Sequence, residues 1–316
     1  GMEVAMKMAV QYWNNLGVQG KHAFLSLRHG YHGDTTGVMS LGDPDDGMHR
    51  LFSGYLPKQH FVPPPEGMGN GRGEIRRSVD EALSALAAAL RENAHGIAAF
   101  ACEPLLQGAG GFNFYPPAYL REASRLCHEH GVLLICDEVA TGFGRTGTLF
   151  ACEQAGITPD IMVLGKGLSA GYLGLSATLA TERVFQAFLG DGQDKAFMHG
   201  PTYMGNALAC AVALASIQIF ERDGYLSKIR RIEEILREEL LGLRADTIRE
   251  TRVFGACGVI EVHDPSAWQG IQAFAGERGV WLRPFDKVVY AMPPYVIDEA
   301  SLRQVCHTMC AWFGPS

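Results

Sequence analysis

The sequence predicts an α/β fold: a mostly parallel central sheet with flanking helices, followed by a smaller C-terminal α+β domain. Three observations carry this. Val132-Leu-Leu-Ile-Cys136 and Ile161-Met-Val-Leu164 are continuous apolar runs of strand length, the composition of strands covered on both faces. The helical stretch Pro117–His130, closed by Gly131 at the usual C-terminal glycine position, links the apolar run Ile97–Cys102 to the next one, which makes a parallel strand-helix-strand unit. Farther on, Leu226, Ile229, Ile232, Leu236, Leu240 and Leu243 recur at helical spacing among short strand signals, so residues 1–210 read as a large domain and 211–316 as a small one.

Taken in order, Glu3–Leu16 reads as a helix with Ala5, Met8, Ala9, Tyr12, Trp13 and Leu16 on one face, and Ala23–Leu27 as a strand. Pro57–Gly73 is rich in proline and glycine and reads as an irregular surface excursion. Ser78 with Glu81 forms a capping box ahead of Val79, Leu83, Leu86 and Leu90 on one helical face. The glycines after Gln107 do not make a dinucleotide fingerprint, because Asn113 stands at the third glycine's place and Pro116-Pro117 interrupt the helix required there. Leu175–Ala180 is a further strand, and Ala207–Phe220 a glycine-free helix joining the two domains. Val253–Val262 and Val280–Arg283 read as strands, and Asp298 caps a last helix with Leu302, Val305, Met309 and Trp312 facing inward.

With 316 residues and 47% hydrophobic content, the chain can bury a large core. A formal net charge of −7 without a basic cluster argues against a nucleic-acid surface. Eight cysteines without a Cys-x-x-Cys pair read as thiols of a reducing compartment, and no apolar run is long enough to span a bilayer, so a cytoplasmic location is expected. No metal is expected: Cys306, His307 and Cys310 lack a matching pair, and His29 and His32 lack a completing ligand.

The chemistry gathers where two apolar runs end. Desolvating an ammonium at a buried strand end lowers its pKa and enlarges the neutral, nucleophilic fraction, which makes Lys166, between Gly165 and Gly167, the candidate nucleophile. Asp137 ends the neighbouring run, and ligands of open α/β sheets sit beyond the carboxyl ends of the strands. An amine that can bond an aldehyde carbon, with a carboxylate that keeps a pyridine nitrogen protonated, is what a pyridoxal 5'-phosphate site requires. Arg145, in a glycine-rich loop, is a secondary candidate for a substrate carboxylate.

The order Gly30-Tyr31-His32-Gly33-Asp34, Glu103-Pro104, Asp137-Glu138-Val139-Ala140-Thr141-Gly142-Phe143-Gly144-Arg145-Thr146-Gly147, Gly165-Lys166-Gly167 and His199-Gly200-Pro201-Thr202 resembles the class III aminotransferases, of the pyridoxal-phosphate-dependent fold type I. The resemblance covers essentially the whole chain. Asp34, the stretch Phe197–Asn206, and Arg283-Pro284-Phe285 followed by Tyr290–Tyr295 resemble more narrowly the members that transfer the amino group of S-adenosylmethionine to 8-amino-7-oxononanoate in biotin biosynthesis. Relatives using ornithine or 4-aminobutyrate differ there, with serine where Pro201 stands.

The resemblance implies that Lys166, Asp137 and Tyr31 carry catalysis. It places His32, Glu103, Gln107, Val139, Pro201 and Thr202 around the cofactor with them. Substrate contacts are implied for Tyr31, Asp34, Arg145, Lys166, Gly200, Arg283 and Tyr290, with Arg283 on a carboxylate. Thr202 is expected to reach the phosphate of a neighbouring subunit's cofactor, which implies a homodimer. Gly1-Met2 resembles the remnant of a cleaved tag, and the resemblance implies a preceding segment with a Ser/Gly phosphate loop, ahead of the first helix. Another class III transaminase with a different amino donor, and an inactive truncated form of the fold, stay open as alternatives.

Overall fold

The computed structural model describes residues 1–67, 77–190 and 192–314. Its centre is a six-stranded sheet. In chain order the strands are β1 (Ala23–Leu27), β2 (His60–Val62), β3 (Ile97–Cys102), a small hairpin β4 (Leu106–Gln107) and β5 (Asn113–Phe114), then β6 (Leu133–Asp137), β7 (Ile161–Leu164) and β8 (Ala177–Ala180). Across the sheet the order is β2-β1-β3-β6-β7-β8, parallel throughout except for β8, which runs antiparallel to β7. Strands β3 and β6 are buried at every position, as continuous apolar runs require.

Helices cover both faces. One face packs Leu25, Leu27, Phe100, Leu134 and Cys136 against Leu86 and Leu90 of a helix Val79–Asn93 and Tyr119, Leu120 and Ala123 of a helix Pro117–Glu129. The other packs Ala99, Leu133, Ile135, Ile161 and Val163 against Ala5, Ala9, Tyr12 and Trp13 of the first helix, Met2–Asn15. The expected capping box is present: Ser78 accepts from the Glu81 amide while the Glu81 carboxylate accepts from the Ser78 amide. A cap of this kind is worth about 1 kcal/mol.

The C-terminal part folds around a three-stranded antiparallel sheet, β9 (Ile248–Val253), β10 (Gly258–Val262) and β11 (Val288–Ala291). Helices Tyr225–Leu240 and Glu299–Phe313 cover one face through Ile229, Ile232, Leu236, Leu302, Cys306 and Met309. Asp298 caps the second of these by accepting from the Ser301 amide at 2.8 Å. The other face presents Val259 and Val288 to the core on the six-stranded sheet. The boundary expected at 210/211 falls inside an unbroken helix, Ala207–Arg222.

Four expectations need correction. The excursion from Pro57 contains an edge strand, β2, and its part beyond Gly67 lies outside the described residues. Leu175–Ala180 is extended only over β8. Val253–Val262 is not one strand: β9 ends at Val253, the chain turns at Gly255, and β10 begins at Gly258; the φ of +54° at Gly255 and its closeness to Arg145 (an added Cβ would lie 2.3 Å from its carbonyl oxygen) both require glycine. Val280–Arg283 is not a strand, and β11 follows it instead, because pairing with β10 selects Val288–Ala291.

Two arginines tie the C-terminal part to the rest of the chain. Buried Arg252 of β9 donates to the carbonyls of Gly111 (2.7 Å) and Phe112 (3.0 Å) and pairs with Glu250 and Glu261. Arg145 donates in the opposite direction, to the carbonyls of Ala256 (2.7 Å) and Pro293 (3.2 Å), with its guanidinium 4.7 Å from the Tyr295 ring centre.

Candidate active site

Parallel strands deliver their carboxyl ends to one edge, and β1, β3, β6 and β7 bring there, in turn, the Tyr31–Asp34 loop, Glu103, Asp137 and Lys166. Asp137 faces Val163 across the β6–β7 ladder. Lys166 follows Val163 by three residues, so its backbone lies within about 10 Å of Val163 at about 3.3 Å per residue.

Asp137 is buried and has two partners: Oδ2 receives Nδ1 of His32 at 2.8 Å, and Oδ1 accepts the Val139 amide at 3.2 Å. An ionised carboxylate has about four lone-pair sites, so acceptor capacity remains for a protonated ring nitrogen. Burial opposes a charged His32 ring, but the hydrogen bond and charge of Asp137, helped by Glu103, hold its pKa above the ordinary imidazole value. His32 Nε2 is buried with no partner.

Glu103 sits behind this pair, accepting from the amides of Tyr31 and Gly108, both at 3.1 Å. Burial pushes its pKa up to about 7, against the opposing pull of His32. The sign follows from proton linkage. An acid whose folded pKa is raised above 4.5 binds more protons folded than unfolded, so its contribution to stability falls as pH rises from about 4.5 to about 7. Replacing Glu103 by Gln removes that dependence. The stability of Glu103→Gln minus that of the parent, from urea unfolding, should therefore increase with pH across this window, by up to ~3 kcal/mol at 1.36 kcal/mol per unit. A flat or falling difference would contradict the assignment, whatever constant offset the lost acceptor introduces.

Lys166 does not sit as expected. It opens a short 3-10 turn, Lys166–Ser169, with φ +42°, its side chain is exposed, and among the described residues its amine has no hydrogen-bond or ion-pair partner. The desolvation expected of a buried strand end is therefore absent, because the chain leaves the sheet at Gly165 before the lysine. The flanking glycines are needed for packing. A Cβ on Gly165 would lie 3.2 Å from Val139 Cγ1, and one on Gly167 2.8 Å from Phe143 Cβ.

Tyr31 reaches the mouth of the site, where its hydroxyl donates to Asp34 Oδ1 at 3.0 Å and its ring stacks on His49, centroids 5.7 Å apart at 24°. Burial, then the hydrogen bond to Asp34, pushes the Tyr31 pKa up to about 12, so the hydroxyl stays protonated and donating.

The other expected site residues have the following surroundings. Gln107 has both ends of its amide engaged, donating to the Arg28 carbonyl (2.8 Å) and accepting from Asn113 (2.9 Å), so it braces the loop after β3 rather than facing a ligand. The Arg145 guanidinium, expected on a substrate carboxylate, is engaged by the carbonyls of Ala256 and Pro293 and lies against the Tyr295 ring. Arg283 is exposed, with no ion pair among the described residues, and Tyr290 lies in the domain seam, 4.3 Å from the Phe112 ring. Gly200, Pro201 and Thr202 form an exposed loop, and the segment before it is tied to the first helix by Lys7 and Gln11.

Two residues were not singled out by sequence. His49 gave no signal, since its place depends on how residues 34–49 fold back. Glu138 is wholly buried, accepting from Thr141 Oγ1 (2.5 Å) and the Cys152 amide (2.8 Å), and the acidic pair Asp137-Glu138 was its only trace. Among the described residues no group of three or more metal-ligating side chains occurs, and no helix is long and apolar enough to cross a membrane.

Residues 1–312 match the family described as aminotransferase class-III, and the chain belongs to that family. Its relatives narrow the likeness. It is 42% identical over 310 residues to the adenosylmethionine-8-amino-7-oxononanoate aminotransferase of Mycobacterium leprae, covering 98% of this chain and 69% of that one. The protein of the same name from Buchnera aphidicola subsp. Acyrthosiphon pisum is 40% identical over 309 residues, covering 98% and 71%. The crystal structure of the namesake from Methanocaldococcus jannaschii superposes with a TM-score of 0.88 at 33% identity, covering 98% and 72%. A PLP-bound amine transaminase from an uncultivated Pseudomonas species superposes equally well, TM-score 0.88 at 32% identity over 98% and 73%.

Proposed function

We propose that this chain transfers the amino group of S-adenosylmethionine to 8-amino-7-oxononanoate, giving 7,8-diaminononanoate in biotin biosynthesis, with pyridoxal 5'-phosphate as cofactor. The observation that carries the reading is buried Asp137, braced by His32, at the tip of the strand next to β7, whose end is followed two residues later by Lys166.

The residues present fit that cofactor at its ring end. Asp137 keeps acceptor capacity for a ring N–H, and Gly165 leaves the strand tip without a side chain beside Val139. When bound, pyridoxal phosphate supplies an aldehyde that carries the amino group and a ring that accepts electrons from the substrate. Asp137 would face the ring nitrogen, and His32, hydrogen-bonded behind it at 2.8 Å, orients that carboxylate. Lys166 would hold the cofactor at its aldehyde end and, with its amine free, would move a proton to and from the substrate Cα as general base and acid. Tyr31 and Asp34 line the acceptor side, Arg283 pairs with its carboxylate, and Gly200 and Tyr290 border the pocket.

The phosphate is assigned in part to Pro201 and Thr202 of a second copy. Exposure of Tyr203, Met204, Leu208 and Leu214 around that loop and the helix after it supports a homodimer that covers this apolar surface. All eight cysteines are free, which fits a reducing, cytoplasmic setting.

The test is a panel of amino donors presented with 8-amino-7-oxononanoate to the cofactor-loaded protein. S-adenosylmethionine should support formation of 7,8-diaminononanoate at a rate well above that with alanine, ornithine or a simple alkylamine. Preference for one of the others would move the protein to a different class III activity, the reading that the amine transaminase neighbour keeps open.

A further inference from the structure

His49 stands outside the sequence motifs of the site, yet it touches both of the groups read as acceptor-facing. Its Nε2 lies 2.9 Å from Asp34 Oδ1, the same oxygen that accepts the Tyr31 hydroxyl at 3.0 Å. Its ring also stacks on Tyr31. The His49 side chain is only 8% exposed, whereas that of Asp34 is 73% exposed. A carboxylate can only accept, so Nε2 must carry the proton in this contact.

The arrangement has a direction. An exposed carboxylate on a short side chain samples several rotamers, and a single bond from Tyr31 would not fix it. The buried imidazole supplies a second, rigid donor, and its ring sets the plane of Tyr31 at the same time. Asp34 Oδ2 has no partner among the described residues, so the carboxylate is held with one oxygen left to accept from a ligand. A cavity of about 80 Å³ bounded by Gly30, Tyr31, His49, Gly110 and Phe285 adjoins Tyr31 and His49.

We infer that His49 is a positioning residue for acceptor specificity: through Asp34 and Tyr31 it fixes the carboxylate that accepts from the amino group of the substrate. This rests on the reading of Tyr31 and Asp34 as acceptor-facing groups.

Two variants separate the donor from the ring. His49→Phe keeps an aromatic ring beside Tyr31 and removes the donor, and His49→Gln restores a donor at the position of Nε2 without the ring. Hydrogen bonds to charged groups are worth enough that the loss of one should raise KM for 8-amino-7-oxononanoate about tenfold in His49→Phe. KM for the same keto acid lacking the 8-amino group should change by less than about threefold, since nothing is left for Asp34 to receive. His49→Gln should recover most of the lost discrimination. Thermal melting of both variants reports any packing loss separately.

Equal effects on the two acceptors, or equal effects of the two variants, would overturn the inference and leave His49 a packing residue. An unmodified protein that does not use 8-amino-7-oxononanoate at all would instead overturn the functional reading beneath it.

Discussion

Alanine in place of Lys166 is expected to abolish turnover. The side chain has two duties in the proposed chemistry, bonding the aldehyde carbon and moving a proton at the substrate Cα, and alanine can do neither. Positioned proton transfer alone contributes about 10²–10⁴-fold. Loss of the covalent role adds to that, so kcat should fall by at least ~10⁴-fold.

The fold should not suffer, because Lys166 is exposed and bonds to nothing among the described residues. Substitutions away from packed or paired positions usually change stability by no more than about 0.5 kcal/mol. The result therefore separates chemistry from structure: an unchanged melting curve with turnover gone supports the assignment. Near-normal turnover would remove Lys166 from the mechanism.

The second large effect belongs to Asp137→Asn, a change with almost no difference in shape. Wild-type Asp137 accepts at both oxygens, from the Val139 amide and from His32 Nδ1. An asparagine amide must turn its NH₂ toward one of these two donors. If it faces Val139, two N–H groups oppose each other. If it faces His32, the ring must shift its proton to Nε2, a buried atom with no partner. Either orientation leaves a buried donor unsatisfied, at a cost of about 1–3 kcal/mol in stability.

The catalytic loss should be larger still. Removing one fixed electrostatic partner of a developing charge typically costs about 10²–10³-fold in kcat, and this variant also loses the charge that keeps a ring nitrogen protonated. A fall in kcat of about 10³-fold with a modest drop in melting temperature is expected. A loss of stability alone, with kcat retained, would mean that Asp137 serves the fold and not the chemistry.

What the sequence displays and what it hides can be traced to specific residues. Strands β3, β6 and β7 are legible because a parallel sheet covered on both faces demands unbroken apolar runs, and their charged ends announce where the runs leave the core. Ser78 and Glu81 are legible because a capping box is local, closed within four residues. The pairing of Asp137 with His32 was not: the two are 105 positions apart, and only the sheet order brings them together. The same holds for Arg145 and Gln107, whose side chains read as site groups but are engaged by backbone carbonyls of distant segments.

The split of Val253–Val262 into two strands turns on Gly255, a tertiary contact with Arg145 that no hydrophobic period records. The exposure of Lys166 depends on where the chain leaves the sheet, again invisible to composition. His49 shows the limit most clearly. A histidine in a turn-rich loop carries no pattern, and its meaning appears only once the loop returns to place it against Tyr31 and Asp34.

The central claim is that Lys166 and Asp137, from neighbouring strand tips, hold one pyridine aldehyde between them. It is tested most directly by incubating the protein with pyridoxal 5'-phosphate, reducing with borohydride, and locating the modified lysine by peptide mass spectrometry. A yellow absorbance that reduction removes and a pyridoxyl adduct on the peptide bearing Lys166 are expected, with binding weakened in Asp137→Asn. A colourless protein, or an adduct on a different lysine, would contradict it.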